Sequence, residues 1–284
     1  MLITTAKKIG MIALFFTSSV LLSLIPRVSI ITSLYNGDHH IEQFMEDIVK
    51  QTIFSQCELI IIDANSPGSE EKIIRQYLHK FPNIVYIKLV QDLGLYATWN
   101  MAIKLSKAEY IINANIDDNL KNDAIETFAN ILDNQPHIEL VYADFMWTKS
   151  LSDTFETANP YAISRFPEFS KRAMIMCLPM NHPMWRKTVH KNYGYFNEGY
   201  KSVGDYEMWL RAVKQGAQFM KVNTVCGTWY QTPTEVSQRA LHQKEIQEIL
   251  VSYKDILQMQ NLSAHEILTA YQNHAQKHFL YNMI

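Results

Sequence analysis

The sequence has few cysteines, few charged residues and no excess of either charge sign. Cys57, Cys177 and Cys226 are the only cysteines among 284 residues, and no two form a C-x-x-C pair, so nothing points to zinc or dithiol redox chemistry. The expectation is three reduced, mostly buried thiols in a reducing compartment. Charged residues make up 19% and the formal net charge is -2. Without a basic excess the chain does not read as a nucleic-acid binder, and no run of one sign marks an interaction tail. Any anionic substrate is then held by local groups rather than by the field of the whole molecule. Internal repeats and low-complexity tracts are also missing, and no compelling serine or cysteine nucleophile motif is present. What the chain does have is apolar material, 48% of residues, ample for a core and unlike a disordered chain.

The first 26 residues stand apart. Between Lys8 and Arg27 there is no charge, and Met11, Ile12, Leu14, Phe15, Phe16, Val20, Leu21, Leu22, Leu24 and Ile25 make the stretch apolar. A membrane-spanning helix needs about 20 mostly apolar residues, and Thr17, Ser18, Ser19 and Ser23 dilute this one. Lys7 and Lys8 before an apolar run suit a signal peptide, but no small-residue cleavage site follows. A membrane anchor, an in-plane segment and a packed helix all fit the length. The charge arrangement around a true span would export the domain, whereas an in-plane segment leaves it cytoplasmic. The expectation is a cytoplasmic main domain attached to the inner face of the membrane.

After Pro26, short apolar runs alternate with amphipathic stretches. Strands are predicted at Val28–Ser33, Leu59–Ile62, Ile84–Val90, Tyr110–Ala114 and Leu140–Trp147. Helices are predicted between them at Ile41–Gln51, Ser69–Lys80, Tyr96–Ser106 and Asn122–Asn134. This alternation implies an α/β fold with a mostly parallel sheet and helices on both faces. Ligands of such sheets sit beyond the carboxyl ends of the strands. From Leu151 to Gly199 the pattern fades among Pro160, Pro167, Pro179 and Pro183, and loops and short elements are expected. A helix at Tyr206–Gln215 and a short strand at Ala217–Val222 follow. Ile246, Ile249, Leu250, Tyr253, Ile256 and Leu257 then recur at helical spacing, and His265–His278 suits a further helix. The domain boundaries read as residues 27–238 for the main α/β unit and 239–284 for a C-terminal helical extension.

The strongest chemical constellation is Asn113-Ala114-Asn115-Ile116-Asp117-Asp118-Asn119. Two adjacent carboxylates repel each other unless a cation neutralises them. Oxygen ligands suit Mg2+ or Mn2+, which commonly use one or two carboxylates plus substrate phosphates. A helix N-cap uses the same residue types, but the place at a strand's carboxyl end favours the metal. Asp63, opening Asp63-Ala64-Asn65-Ser66-Pro67-Gly68, can accept from a base imide or a ribose hydroxyl, or simply close a turn. Gly204-Asp205-Tyr206-Glu207 opens a helix, where a carboxylate is stabilised by the dipole and can take a proton, or merely cap. Asp92-Leu93-Gly94-Leu95-Tyr96, with Trp99 and Asn100 after it, is a turn feeding a helix. His182 reads as a hydrogen-bonded structural histidine.

Taken in order, these residues resemble family 2 inverting glycosyltransferases of the GT-A (Rossmann-like) fold. The resemblance is carried by Thr32 to Asn36, Asp63, Asp92 to Tyr96 with Asn100, Asp117-Asp118, and Asp205 to Arg211, and it covers about residues 27–238. It is nearest to bacterial enzymes that build surface polysaccharides. It implies a nucleotide-sugar donor, with a UDP-sugar favoured, and a hydroxyl of a glycan or lipid-linked acceptor. Thr32 and Asp63 would lie against base and ribose, with Asn36, Asp92, Gly94 and Asn100 shaping the donor side. Asp117 and Asp118 would hold Mg2+ or Mn2+, and Asp205 would be the general base. Three positions depart from the family pattern. Ala64 stands where a second aspartate is common, which bears on the choice of base. Asn115 stands for an aspartate, and Gln231, Thr232 and Pro233 replace a segment that often carries histidine; both bear on the metal. Two other readings stay open. One is a non-catalytic nucleotide-sugar binding protein. The other is a sugar nucleotidyltransferase, although Leu34-Tyr35-Asn36-Gly37 lacks that class's basic phosphate loop.

Overall fold

The computed structural model describes residues 25–150, 153–230 and 235–279. Strands β1 (Val28–Leu34) and β2 (Cys57–Asp63) are runs rich in β-branched residues, and both are almost wholly buried. Such runs can only be strands covered on two faces. Their alternate residues feed separate cores. Ile31, Ile60 and Ile62 enter one apolar layer, and Ile30, Leu59 and Ile61 the other. The second layer is closed by α1 (Ile41–Val49), through Ile41, Phe44, Met45 and Ile48, by α2 (Glu70–Leu78), and by α4 (Ala124–Asn134), through Ile125, Phe128 and Leu132. The first is closed by α3 (Leu95–Leu105), α6 (Gly204–Lys214) and α7 (Glu235–Ser252).

The other strands are β3 (Ile84–Lys88), β4 (Tyr110–Asn113), β5 (Asn119–Leu120), β6 (Leu140–Thr148), β7 (Ala162–Ser164), β8 (Met184–Arg186) and β9 (Phe219–Tyr230). All nine strands among the described residues belong to one sheet, ordered β3-β2-β1-β4-β8-β6-β9-β5, with β7 on β6. The β3-β2-β1-β4 half is parallel. Beyond it β8 runs antiparallel to both β4 and β6, and β6 and β9 are parallel. The chain leaves β1 toward β2 and β3 and returns to β1's other side as β4. That reversal is a topological switch point, where a crevice opens at the strands' carboxyl ends. The register Ile31↔Asn113 puts the loop after β1 next to the loop after β4, which carries Asp117 and Asp118.

The described residues of 151–199 form loops and short elements. They include β7, a 3-10 turn at Arg172–Met176, the central strand β8 and α5 (Thr188–Tyr193). Strand β9 has twelve residues, twice the expected reach. Helix α7 contributes Ile246, Ile249 and Leu250 to the same core as α3 and α6, and α8 (Ala264–Phe279) contributes Ile267. The three cysteines are unpaired, Cys57 and Cys226 buried and Cys177 half-buried. Among the described residues no helix is long and apolar enough to cross a membrane. Residues 1–24 of the expected membrane-attaching segment 1–26, and Gln231 to Pro233, lie outside the described residues.

Candidate active site

The loops after β1 and β2 are knitted together. The Ser66 amide donates to Asp63 Oδ1 at 2.6 Å and the Tyr86 hydroxyl to Oδ2 at 2.6 Å, with Lys88 Nζ 3.9 Å away. Asp63 is therefore fully buried and engaged in fixing its loop, more enclosed than the open nucleoside contact expected of it. Asn36 is exposed in a left-handed turn (φ 52°), and its amide donates to Ser66 Oγ. Beneath them Thr32 is fully buried on β1, and its hydroxyl has no partner among the described residues. Buried polar atoms are nearly always bonded, so this hydroxyl, like His182 Nδ1, stands out among the described residues.

The two acids beyond β4 are not equivalent. Asp118 is 4% exposed. Its Oδ1 accepts the Tyr230 amide at 3.1 Å and its Oδ2 accepts Asn115 Nδ2 at 3.0 Å. His182 Nε2 lies 3.8 Å from the same Oδ2. Burial pushes His182 down to about 4, so its ring is neutral at neutral pH. His182 thus has a place in the site that its isolated position in the sequence did not announce. Asp117 is only half-buried. Burial raises its carboxyl above the ordinary value, opposed by its own amide and by nearby His40. His40 in turn faces the Tyr230 ring, centroids 6.0 Å apart.

Among the described residues no group of three or more His, Cys, Asp or Glu side chains is placed to enclose a metal. The donor set still suits a shared divalent cation. Mg2+-type sites draw one or two carboxylates from protein and the rest from phosphates and water. Asp117, a carboxylate disfavoured as an anion by its surroundings, gains most from such a cation.

Asp205 lies in the first turn of α6, whose N-cap Val203 makes no side-chain cap bond. Burial raises its pKa, opposed by the Tyr206 amide, the Tyr96 hydroxyl and its own amide. The Tyr96 hydroxyl donates to Oδ1 at 3.1 Å. A Cβ on Gly204 would meet the Tyr96 ring at 2.8–3.0 Å, so glycine there lets the ring reach the acid. The rival acid Glu207 is 7% exposed and committed elsewhere. Its two oxygens take Arg211 at 3.0 and 3.1 Å, and Oε1 also takes the Tyr253 hydroxyl at 2.6 Å.

Gly94, at φ 86°, forms the bend before α3 and has Lys201 Nζ nearby; Asp92 is exposed and accepts the Gly94 amide at 2.7 Å. Asn100 is 2% exposed, and its amide group bonds to both backbone groups of Phe196 and to Glu198. Its position one and a half turns into α3 points it at the 196–198 segment.

A sheet with a switch point and acids gathered beyond its parallel strands defines an α/β protein built to bind a ligand at that edge. The profile of Glycosyl transferase family 2 matches residues 29–176. The chain belongs to that family. It is 33% identical over 117 residues to a poly(ribitol-phosphate) beta-glucosyltransferase of Bacillus spizizenii, covering 40% of this chain and 18% of that protein. Among solved structures, S. aureus TarS 1-349 in complex with UDP-GlcNAc superposes with a TM-score of 0.66 at 17% identity, covering 90% of this chain and 74% of that one. The mannosyltransferase PcManGT from Pyrobaculum calidifontis, in complex with GDP-Man and Mn2+, superposes at 0.63 and 15% identity, covering 89% and 76%. These likenesses establish the GT-A fold. Many curated relatives are longer proteins: the chain spans 16–29% of the length of four of them.

Proposed function

We propose that the chain moves a sugar from a nucleoside diphosphate donor, with a UDP-sugar favoured, to a hydroxyl of a glycan or lipid-linked acceptor, inverting the anomeric carbon. The observation that carries this reading is Asp205: a half-buried carboxylate at a helix start, raised above its ordinary pKa and held by one tyrosine. A base poised in this way suits proton abstraction near neutral pH. Asp205 takes the proton of the acceptor hydroxyl as its oxygen attacks the anomeric carbon. The bond from that carbon to the diphosphate breaks in the same displacement, and the nucleoside diphosphate leaves with the electron pair. Mg2+ or Mn2+ would neutralise charge on the departing diphosphate. Asp117 would ligate it, with Asp118 holding the turn beneath. The Thr32 hydroxyl and the Asn36–Asp63 loop pair would receive the nucleoside, and Asp92 and Gly94 would border it. Donors captured in the relatives support the substrate class. We also infer attachment of the cytoplasmic domain to the inner membrane face through residues 1–26.

The test is a screen of nucleotide sugars with Mn2+, reading donor hydrolysis and binding of the nucleoside diphosphate. Turnover that Asp205→Asn cuts about 10²- to 10⁴-fold supports the reading. Binding with no turnover under any donor and acceptor would replace it with the non-catalytic one.

A further inference from the structure

The segment that delivers Asp205 is held from far along the chain. Glu245, on α7, is 6% exposed. Its Oε1 accepts the Lys201 amide at 2.8 Å, and its Oε2 accepts the amides of Ser202 at 2.9 Å and Val203 at 3.3 Å. One turn earlier on α7, His242 Nδ1 meets Ser202 Oγ at 2.9 Å. Beyond α7, Tyr253 reaches Glu207 in the next turn of α6. Helix α7 is itself immobilised, with Ile246, Ile249 and Leu250 fully buried in the core that contains Trp209 of α6. Burying a carboxylate is unfavourable unless its oxygens are satisfied. Here three amides satisfy it, all in the three residues preceding α6. Charge-assisted bonds of this kind are stronger and more directional than neutral ones.

We propose that Glu245 is a positioning residue for the base Asp205, which makes α7 part of the catalytic machinery; the inference rests on the assignment of Asp205. The N-cap residue of α6 offers no side-chain cap, so Glu245 supplies the missing restraint from another element. The Tyr96 hydroxyl holds Asp205 on one side, and the Glu245 bracket holds the backbone just before it. A general base works only within hydrogen-bond reach of its proton, and a displacement of about 1 Å costs about 10²-fold in rate. Glu245→Ala releases three amides and loosens the helix start. Glu245→Gln keeps one acceptor oxygen and turns an NH2 group toward the other amides, so its effect is intermediate.

The experiment uses the full chain in two arms. Amide hydrogen exchange on Glu245→Ala is expected to accelerate about 10-fold or more at Lys201–Tyr206, with β1 and β2 unchanged. With the nucleotide sugar selected by the screen, kcat is expected to fall about 10- to 100-fold while donor KM stays within about two-fold. In an Asp205→Asn background the same substitution is expected to cost nothing further, because it acts only through Asp205. Unchanged exchange at Lys201–Tyr206 overturns the proposal. So does an equal fold loss in the Asp205→Asn background, which marks a general effect on the fold. If Glu245→Ala does not fold, Glu245→Gln is read against the same outcomes. A screen that finds no donor defeats the base assignment alone, and the exchange arm still decides whether the bracket exists.

Discussion

Replacing Tyr96 by phenylalanine removes one hydroxyl from beside Asp205 and leaves the ring that packs on Gly204. The hydroxyl donates to Asp205 Oδ1 at 3.1 Å and favours the ionised acid, against a burial that disfavours it. A hydrogen bond to a charged group contributes about 1.5–3 kcal/mol. With about 1.4 kcal/mol per pKa unit, its loss raises Asp205 by about one to two units. The base works as the anion, so activity falls as pH drops through its pKa. The acid limb of kcat/KM should therefore move up by about one to two pH units in Tyr96→Phe. On the acid limb the variant should be about 10-fold slower or more at a given pH, and above the shifted limb it should approach the parent. The assay is kcat/KM from pH 5 to 9 for both proteins. A uniform loss with an unmoved acid limb would refute the reasoning, because it would mean that Tyr96 matters for shape and not for the charge on Asp205.

The remaining outcomes follow from the same contacts. Asp117→Asn should abolish Mn2+-dependent UDP binding in calorimetry, whereas Asp118→Asn should weaken it about 10- to 100-fold through the turn it holds; undiminished binding in both sinks the metal site. Glu207→Gln should lower stability by about 1–3 kcal/mol in urea melts, since it weakens a largely buried pair with Arg211, yet keep most turnover at low temperature. If Glu207→Gln is inactive while folded and Asp205→Asn is active, the base is Glu207. Asp47 is 4% exposed, and burial raises it to about 7. Its folded pKa exceeds the unfolded one, so stability is lost as pH rises between about 4 and 7, by up to about 1.4 kcal/mol per unit. Asp47→Asn, which keeps an acceptor for the Leu120 amide, should gain on the parent in Tm across that window; a constant difference would contradict the burial argument.

The parallel half of the sheet was legible because its strands are uninterrupted apolar runs and its helices show one apolar stripe each. The other half was not, for local reasons. Strands β5, β7 and β8 have two or three residues, too few for any period to show. Pro183 stands directly before β8, and proline reads as a break even where a strand begins. In β9 the pairing with β6 shifts around Asp144, so that Ala143 meets Val222 but Asp144 meets Val225. The skipped residues Asn223 and Thr224 sit in that irregularity. Their polarity ends the apparent strand at Val222, while the backbone continues to Tyr230.

The site was legible as a set of acids and illegible as an arrangement. Adjacent aspartates announce a charge problem, but which one is open depends on Tyr230, Asn115 and His182, contributed by three different segments. That close approach needs glycine at 227, where a Cβ would collide with the Asn119 carbonyl and come within 3.3 Å of His182. The same holds at α6. Asp205 and Glu207 are two residues apart, and helical geometry says only that they face differently. What separates them is the company each keeps. Glu207 meets a guanidinium and a phenol that consume both oxygens, which makes it a strut. Asp205 meets a single hydroxyl and is pushed toward the neutral form, which leaves it able to gain and lose a proton. Arg211 is one turn from Glu207, but Tyr253 and Tyr96 are far from both acids in sequence, so the reading of Asp205 over Glu207 as the base draws on packing as well as on pattern.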